Sequence, residues 1–129
     1  MSKAYFVTGI GTGIGKTYIS ALLCNEWKAD YWKPIQAGDL DNSDSHTVRQ
    51  LTKGETVIHS EQYRLSQPLS PHASARIDGI KITLDSFQIP ETKNKLIIEG
   101  AGGLLVPIND SETILDLVKH LNILSLIHI

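Results

Sequence analysis

The stretch Val7-Thr8-Gly9-Ile10-Gly11-Thr12-Gly13-Ile14-Gly15-Lys16-Thr17 constrains this chain more than any other. It follows a short apolar run and leads into a segment with helical character, the setting of a phosphate-binding loop. Such a loop turns through backbone angles that glycine adopts without strain, so that successive N–H groups point at an anion. Lys16 can reach the β- and γ-phosphates as a point charge, and the Thr17 hydroxyl can ligate Mg²⁺. The helix that starts here adds the positive end of its dipole. From Gly9 to Gly15 the spacing is one residue longer than G-x-x-x-x-G-K-[ST], whose first glycine would fall at Ile10. A plain Gly-rich turn leaves Gly-Lys-Thr unexplained. A dinucleotide fingerprint, G-x-G-x-x-G, fails at Ile14 or Lys16 in either register. The loop reads as a triphosphate loop of variant length.

The 129 residues are enough for one domain with a core. A net charge of −2 gives no reason to expect nucleic acid or an anionic membrane as partner. Cys24 is the only cysteine, so no intrachain disulfide forms, and its apolar surroundings in sequence make it a buried small residue rather than a nucleophile. Residues 1–4 lead into a strand pattern and not into a signal peptide, and no apolar run approaches a membrane span, so the cytoplasm is the expected compartment. The five histidines lack metal-ligand spacing, and no zinc site is expected.

Along the chain, residues 4–8 predict a buried strand and 17–28 a core-facing helix. Residues 31–35 predict a second strand, stopped by Pro34. Lys33, inside this aromatic stretch, is either a snorkelling surface lysine or a phosphate or substrate lysine at the carboxyl edge of a sheet. Residues 36–43 predict a loop and 44–51 a helix. Asp39, Asp41 and Asp44 cluster there, and such acids serve as helix caps, dipole partners or Mg²⁺ ligands. A strand is predicted within 57–65, then a loop over 66–75 running into a short helix, and weak periodicity from 79 to 94. Residues 95–99 predict a buried strand ending in Glu99, with Gly100-Ala101-Gly102-Gly103 as a following loop that brings the acid toward Mg²⁺; a solvated Glu99 before a loose turn is the plain alternative. Residues 111–121 predict an amphipathic helix with Ser111 as N-cap, and Ile123 begins another strand. The βαβ alternation predicts one doubly wound α/β domain of P-loop NTPase type, a mainly parallel sheet with helices on both faces.

These landmarks together resemble the dethiobiotin synthetase family. The resemblance is carried by Tyr5-Phe6-Val7-Thr8-Gly9, Gly15-Lys16-Thr17, Trp32-Lys33-Pro34-Ile35-Gln36-Ala37-Gly38, Asn42-Ser43-Asp44, Leu69-Ser70-Pro71-His72 and Glu99-Gly100-Ala101-Gly102-Gly103-Leu104-Leu105-Val106-Pro107. It implies an ATP-dependent ligase that carboxylates 7,8-diaminononanoate with CO₂ or bicarbonate and closes a ureido ring. It also implies Mg²⁺ as cofactor and a homodimer. Lys33 and Lys16 would be catalytic; Thr17, Asp44 and Glu99 would hold Mg²⁺. Gly13, Ile14, Gly15, Lys16, Thr17, Tyr18, Asp44, Glu99, Gly100, Ala101 and Gly102 would contact ATP. Thr12, Lys33 and Ala37 would face the substrate.

The chain departs from the family pattern at Gly11 and Gly13, where Asp and Glu are common. It departs at Ala37, where a Ser or Thr hydroxyl is usual, and in the short connection over residues 79–94. The resemblance implies further C-terminal strands beyond residue 129, carrying adenine and substrate-carboxylate contacts. Residues 124–129, Leu-Ser-Leu-Ile-His-Ile, are what a transposase adapter used in preparing sequencing libraries encodes, and the authentic sequence is expected to end near Ile123. Rival readings are a switch-type partitioning ATPase, an amidotransferase-type cobyrinate synthase and an inactive fragment. The first carries an early lysine where this chain has Gly11.

Overall fold

Short strands, the central ones largely buried on both faces, organise the chain. The computed structural model describes residues 3–11, 13 and 15–129. In order, β1 (Ala4–Gly9) leads into α1 (Lys16–Trp27), then β2 (Asp30–Trp32), β3 (Ile35–Ala37) and α2 (Asp44–Leu51). There follow β4 (Ile58–His59), β5 (Tyr63–Leu65), α3 (Pro71–Asp78), β6 (Leu96–Gly103), α4 (Ile114–His120) and β7 (Ser125–His128). Single 3₁₀ turns lie at Leu40–Asn42 and Leu84–Ser86. Five strands form a sheet in the order β4-β2-β6-β1-β7 with every pairing parallel, while β3 and β5 pair apart as a parallel ribbon. Parallel neighbours need crossover connections, which the helices supply.

The strand period of two sorts neighbouring residues onto opposite faces. Val7, Tyr31 and Ile97 pack with Ala21 and Cys24 of α1 and Val48 of α2. Phe6, Trp32 and Ile98 pack on the other side with Ile35, Leu65, Ala75, Ile114 and Leu117. The predicted doubly wound arrangement is the one observed. Cys24 is buried, and burial pushes its thiol up to about 12, which fits an inert small residue.

Several local expectations need correction. The strand expected over 31–35 is two: Lys33-Pro34 carries the chain out of the main sheet after Trp32, and Ile35–Ala37 restarts as β3, so Gln36 and Ala37 belong to a strand and not to the loop. Pro34 cannot donate to a ladder, and its free carbonyl accepts from the N–H groups of Gln62 and Tyr63 instead. The stretch 57–65 likewise divides between the two sheets, as β4 and β5. β6 runs through Gly100 to Gly103, where Gly103 pairs with Gly9, so the expected glycine loop is strand. Thr113, not Ser111, caps α4: its hydroxyl accepts from Asp116 N–H while the Asp116 carboxylate accepts from Thr113 N–H. Residues 125–128 pair with β1 from Tyr5↔Ser125 to Thr8↔His128.

At the amino end of β2 the buried Asp30 carboxylate accepts from His59 Nε2–H (2.8 Å) and Asn94 Nδ2–H (3.0 Å). Burial pushes this carboxyl up, but hydrogen bonds from Thr92, Asn94 and His59 outweigh it and hold it below the usual carboxylate value. A group so depressed contributes stability that is present above its ordinary pKa, about 4, and lost as pH falls through the lower folded value. Asp30→Asn is therefore expected to lower the unfolding free energy by about 2 kcal/mol near neutral pH. In urea denaturation series, the gap between parent and variant should narrow as pH falls below about 4.

Candidate active site

The loop after β1, the start of α1, the carboxyl ends of β2 and β6 and the start of α2 converge on one cleft of about 760 Å³. This is where open parallel sheets bind ligands, beyond the carboxyl edge. Lys16, Lys33 and Glu99 are buried in its floor, Asp44 is half-buried at its side and Tyr18 is exposed at its rim.

α1 begins without closing its own end. Gly15, at φ +100°, occupies the N-cap position, no side chain caps the helix, and no acid lies in the first turn. Among the described residues no side chain accepts from the first backbone N–H groups, and the positive end of the dipole faces the cleft. In contrast, α2 is capped by the Ser43 hydroxyl, which accepts from His46 N–H. An anion is the natural complement of the open end.

Lys16 bridges the two walls of the cleft. Its ammonium donates to the carbonyls of Gly11 (2.8 Å) and Gly102 (2.9 Å). Burial pulls its pKa down and the nearby Lys33 charge pulls the same way, against Glu99 and Asp44. Lys33 stands differently. Its ammonium pairs with Asp44 Oδ2 and lies 3.4 Å from Glu99 Oε2. Burial works to lower its pKa, but the two carboxylates outweigh this and hold it above its ordinary value. Of the two readings open for Lys33, the snorkelling surface lysine is excluded by its burial.

Glu99 lies on the α1-side face of the sheet, and its Oε2 accepts from the Thr17 hydroxyl at 2.9 Å, while Oε1 accepts from the Tyr31 hydroxyl at 2.8 Å. Burial pushes its pKa up, with Asp44 adding to the rise against the Lys33 ammonium. Asp44 is lowered in net: burial would raise it, and the Lys33 charge and hydrogen bond prevail. The solvated Glu99 of the plain alternative is excluded by its 1% exposure.

Thr17, Asp44 and Glu99 thus offer a hydroxyl and two carboxylates, all hard oxygen donors. Among the described residues no group of three or more His, Cys, Asp or Glu could hold a metal by itself. That composition fits Mg²⁺, which commonly takes one or two carboxylates and completes its octahedron with phosphate and water.

The cleft gathers Gly13, Gly15, Lys16, Thr17, Tyr18, Lys33, Ala37, Asp44, Glu99, Ala101 and Gly102 from the expected set. Gly100 is buried and does not line it. Thr12 and Ile14 lie outside the described residues. Sequence reasoning missed Gln36, which is buried in the cleft; its Oε1 accepts from Asp44 N–H (3.2 Å) and its Nε2–H donates to the Gly38 carbonyl (3.0 Å). The available signal was its place in the Lys33-Pro34-Ile35-Gln36-Ala37-Gly38 stretch that carries the resemblance. Pro68, Leu69, Ser70 and Pro71 also line the cleft, brought there by Gly38. Gly38 sits at φ +78°, and a Cβ there would come within 2.6 Å of the Pro68 Cα, so no other residue fits.

A family model described as an AAA domain matches residues 3–127. The chain belongs to that family. This AAA-domain chain is also 54% identical to an ATP-dependent dethiobiotin synthetase BioD of Christiangramia forsetii, over 92% of its own length and 58% of the relative's. A protein of the same name from Cytophaga hutchinsonii is 53% identical over 90% of this chain and 57% of the relative. Another, from Brucella ovis, is 48% identical over 91% and 56%. The chain therefore spans a little over half the length of these relatives. No helix among the described residues is long and apolar enough to cross a membrane.

The cleft's electrostatics give a direct check on Lys16. Lys16→Met keeps the apolar stem and removes the charge; if the loop takes a triphosphate, the change weakens ATP binding by roughly 10- to 100-fold, as loss of a charged hydrogen bond does. Titration calorimetry measures the affinity, and an unchanged far-ultraviolet circular dichroism spectrum shows that the fold survives.

Proposed function

We propose that the chain carries the nucleotide- and carbamate-handling part of a dethiobiotin synthetase. The substrates are 7,8-diaminononanoate, CO₂ or bicarbonate, and ATP; the products are dethiobiotin, ADP and phosphate. The observation that carries this reading is the juxtaposition of a buried Lys33, paired with two carboxylates, and a triphosphate-type loop within one cleft. A nucleotide switch has no evident use for such a second buried lysine. The 48–54% identity to proteins of that name supports the same reading.

In this scheme one amine of the substrate adds to CO₂, losing a proton, and gives a carbamate. A carbamate oxygen attacks the γ-phosphorus of ATP and releases ADP, forming a mixed carbamic–phosphoric anhydride. The second amine attacks the carbamate carbon, the ureido ring closes, and phosphate departs. Anionic species recur along the path, so catalysis rests on fixed positive charge and positioning more than on proton transfer. Lys33 holds the carbamate. Lys16 spans carbamate and γ-phosphate, with the open amino end of α1 and the loop N–H groups behind the phosphates. Thr17, Asp44 and Glu99 would hold Mg²⁺, which when bound neutralises phosphate charge. Gly13, Gly15, Tyr18, Ala101 and Gly102 contact the nucleotide; Ala37 faces the substrate without the hydroxyl usual in the family. The reading carries with it a homodimer, as the resemblance implies, and the cytoplasm expected from the sequence.

Phosphate release measured with diaminononanoate, bicarbonate and MgATP tests the assignment. Release that requires all three supports it; release indifferent to diaminononanoate overturns it in favour of a switch-type ATPase. Lys33→Ala is expected to lower turnover by at least about 100-fold, the scale set by loss of one transition-state charge partner. ATP affinity should change little. The reverse pattern, weakened ATP binding with near-normal turnover, would remove Lys33 from the carbamate.

A further inference from the structure

We propose that Tyr31 is a positioning residue for Glu99, fixing which carboxylate oxygen is presented to the metal. The inference rests on the reading of Glu99 as a Mg²⁺ ligand given above.

Tyr31 pairs in register with Ile97, so it shares a sheet face with Glu99, two residues farther along β6. A diagonal neighbour of this kind is within reach of an aromatic side chain. The ring is fully buried among Val7, Ala21, Cys24, Val48 and Ile97. A phenylalanine ring would serve those contacts as well. Among the described residues the hydroxyl makes one side-chain hydrogen bond, to Glu99 Oε1 at 2.8 Å. Burying a hydroxyl in apolar surroundings is unfavourable unless it is paired, and the carboxylate supplies that pairing.

The consequence is a division of labour between the two oxygens. Oε1 is tied inward to Tyr31; Oε2 faces the cleft, where Thr17 Oγ1 stands at 2.9 Å and Lys33 Nζ at 3.4 Å. The terminal torsion of a glutamate is broad and does little to orient its carboxylate. The Tyr31 hydroxyl supplies that orientation from behind, as hydrogen-bond partners behind metal ligands do.

The test compares ADP affinity with and without Mn²⁺ in the parent chain, Tyr31→Phe, Glu99→Gln and the double variant, by titration calorimetry. In Tyr31→Phe, metal-free ADP affinity should stay at the parent value, and the strengthening conferred by Mn²⁺ should shrink by about 10-fold. Adding Tyr31→Phe to Glu99→Gln should cost nothing further, since the hydroxyl acts through that carboxylate. Equal weakening with and without Mn²⁺, an unchanged Mn²⁺ effect, or additivity with Glu99→Gln would each overturn the inference while leaving the synthetase reading intact. A parent chain that gains no ADP affinity from Mn²⁺ would overturn both. Thermal unfolding midpoints separate these outcomes from misfolding, because a structural defect lowers ADP binding in either condition.

Discussion

A buried ammonium needs negative partners, and the cleft is arranged around meeting that need for Lys33. An unpaired ion of this kind in the protein interior would be prohibitively unfavourable, and the group would give up its charge instead. Here Asp44 and Glu99 reverse the effect of burial and keep the proton on Lys33. The three residues come from different places: the end of β2, the first turn of α2 and the middle of β6. Their mutual attraction brings these segments together, and the remaining cleft residues sit on the same segments or beside them. Gln36 adds a neutral brace by accepting from the Asp44 backbone N–H.

This arrangement depends on a feature of β2 that alternation alone dictates. Tyr31 and Lys33 fall on the α1 side of the sheet, and Trp32 on the other, where its indole N–H donates to the Ser60 carbonyl at 3.0 Å. Immediately after Lys33, Pro34 ends the ladder and turns the chain toward β3. A longer β2 would carry the sheet past the cleft floor. The proline that looks like a flaw in a strand is what leaves Lys33 at the edge, beside the loop, instead of deep in the sheet.

The large periodic units were legible in the sequence: β1, α1, α2 and the apolar part of β6 lie where the spacing predicts, as does the two-faced covering of the sheet. The loop with Lys16 and Thr17 was legible because its chemistry is local. Lys33 and Asp44 were not decidable from spacing, since burial and pairing are properties of the assembled cleft. Tyr31 left almost no trace, because an aromatic residue in a short strand has an ordinary structural explanation; Gln36 stood in the motif that carries the resemblance, without a role assigned to it. Gly100–Gly103 has poor strand propensity, yet the ladder to β1 holds Gly103 opposite Gly9; pairing partners, not propensity, decided that end. At α4, both Ser111 and Thr113 are competent caps, and only Thr113 stands three residues before an acid at the helix start.

The two lysines of the cleft differ in a way that bears on what each can do. Lys33 is held by ionised oxygens on rigid elements and is raised in pKa, so it is a fixed charge whose position is set before any ligand arrives. Lys16 is held by two neutral carbonyls, Gly11 and Gly102, and is lowered in pKa by burial and by Lys33. A phosphate oxygen is a stronger acceptor for an ammonium than a carbonyl is, so an incoming triphosphate competes well for Lys16 and relieves its repulsion from Lys33. The same anion would find Lys33 already neutralised by Asp44 and Glu99. On the proposed reading, this asymmetry favours Lys16 and the open end of α1 for the triphosphate and leaves Lys33 to the smaller carbamate.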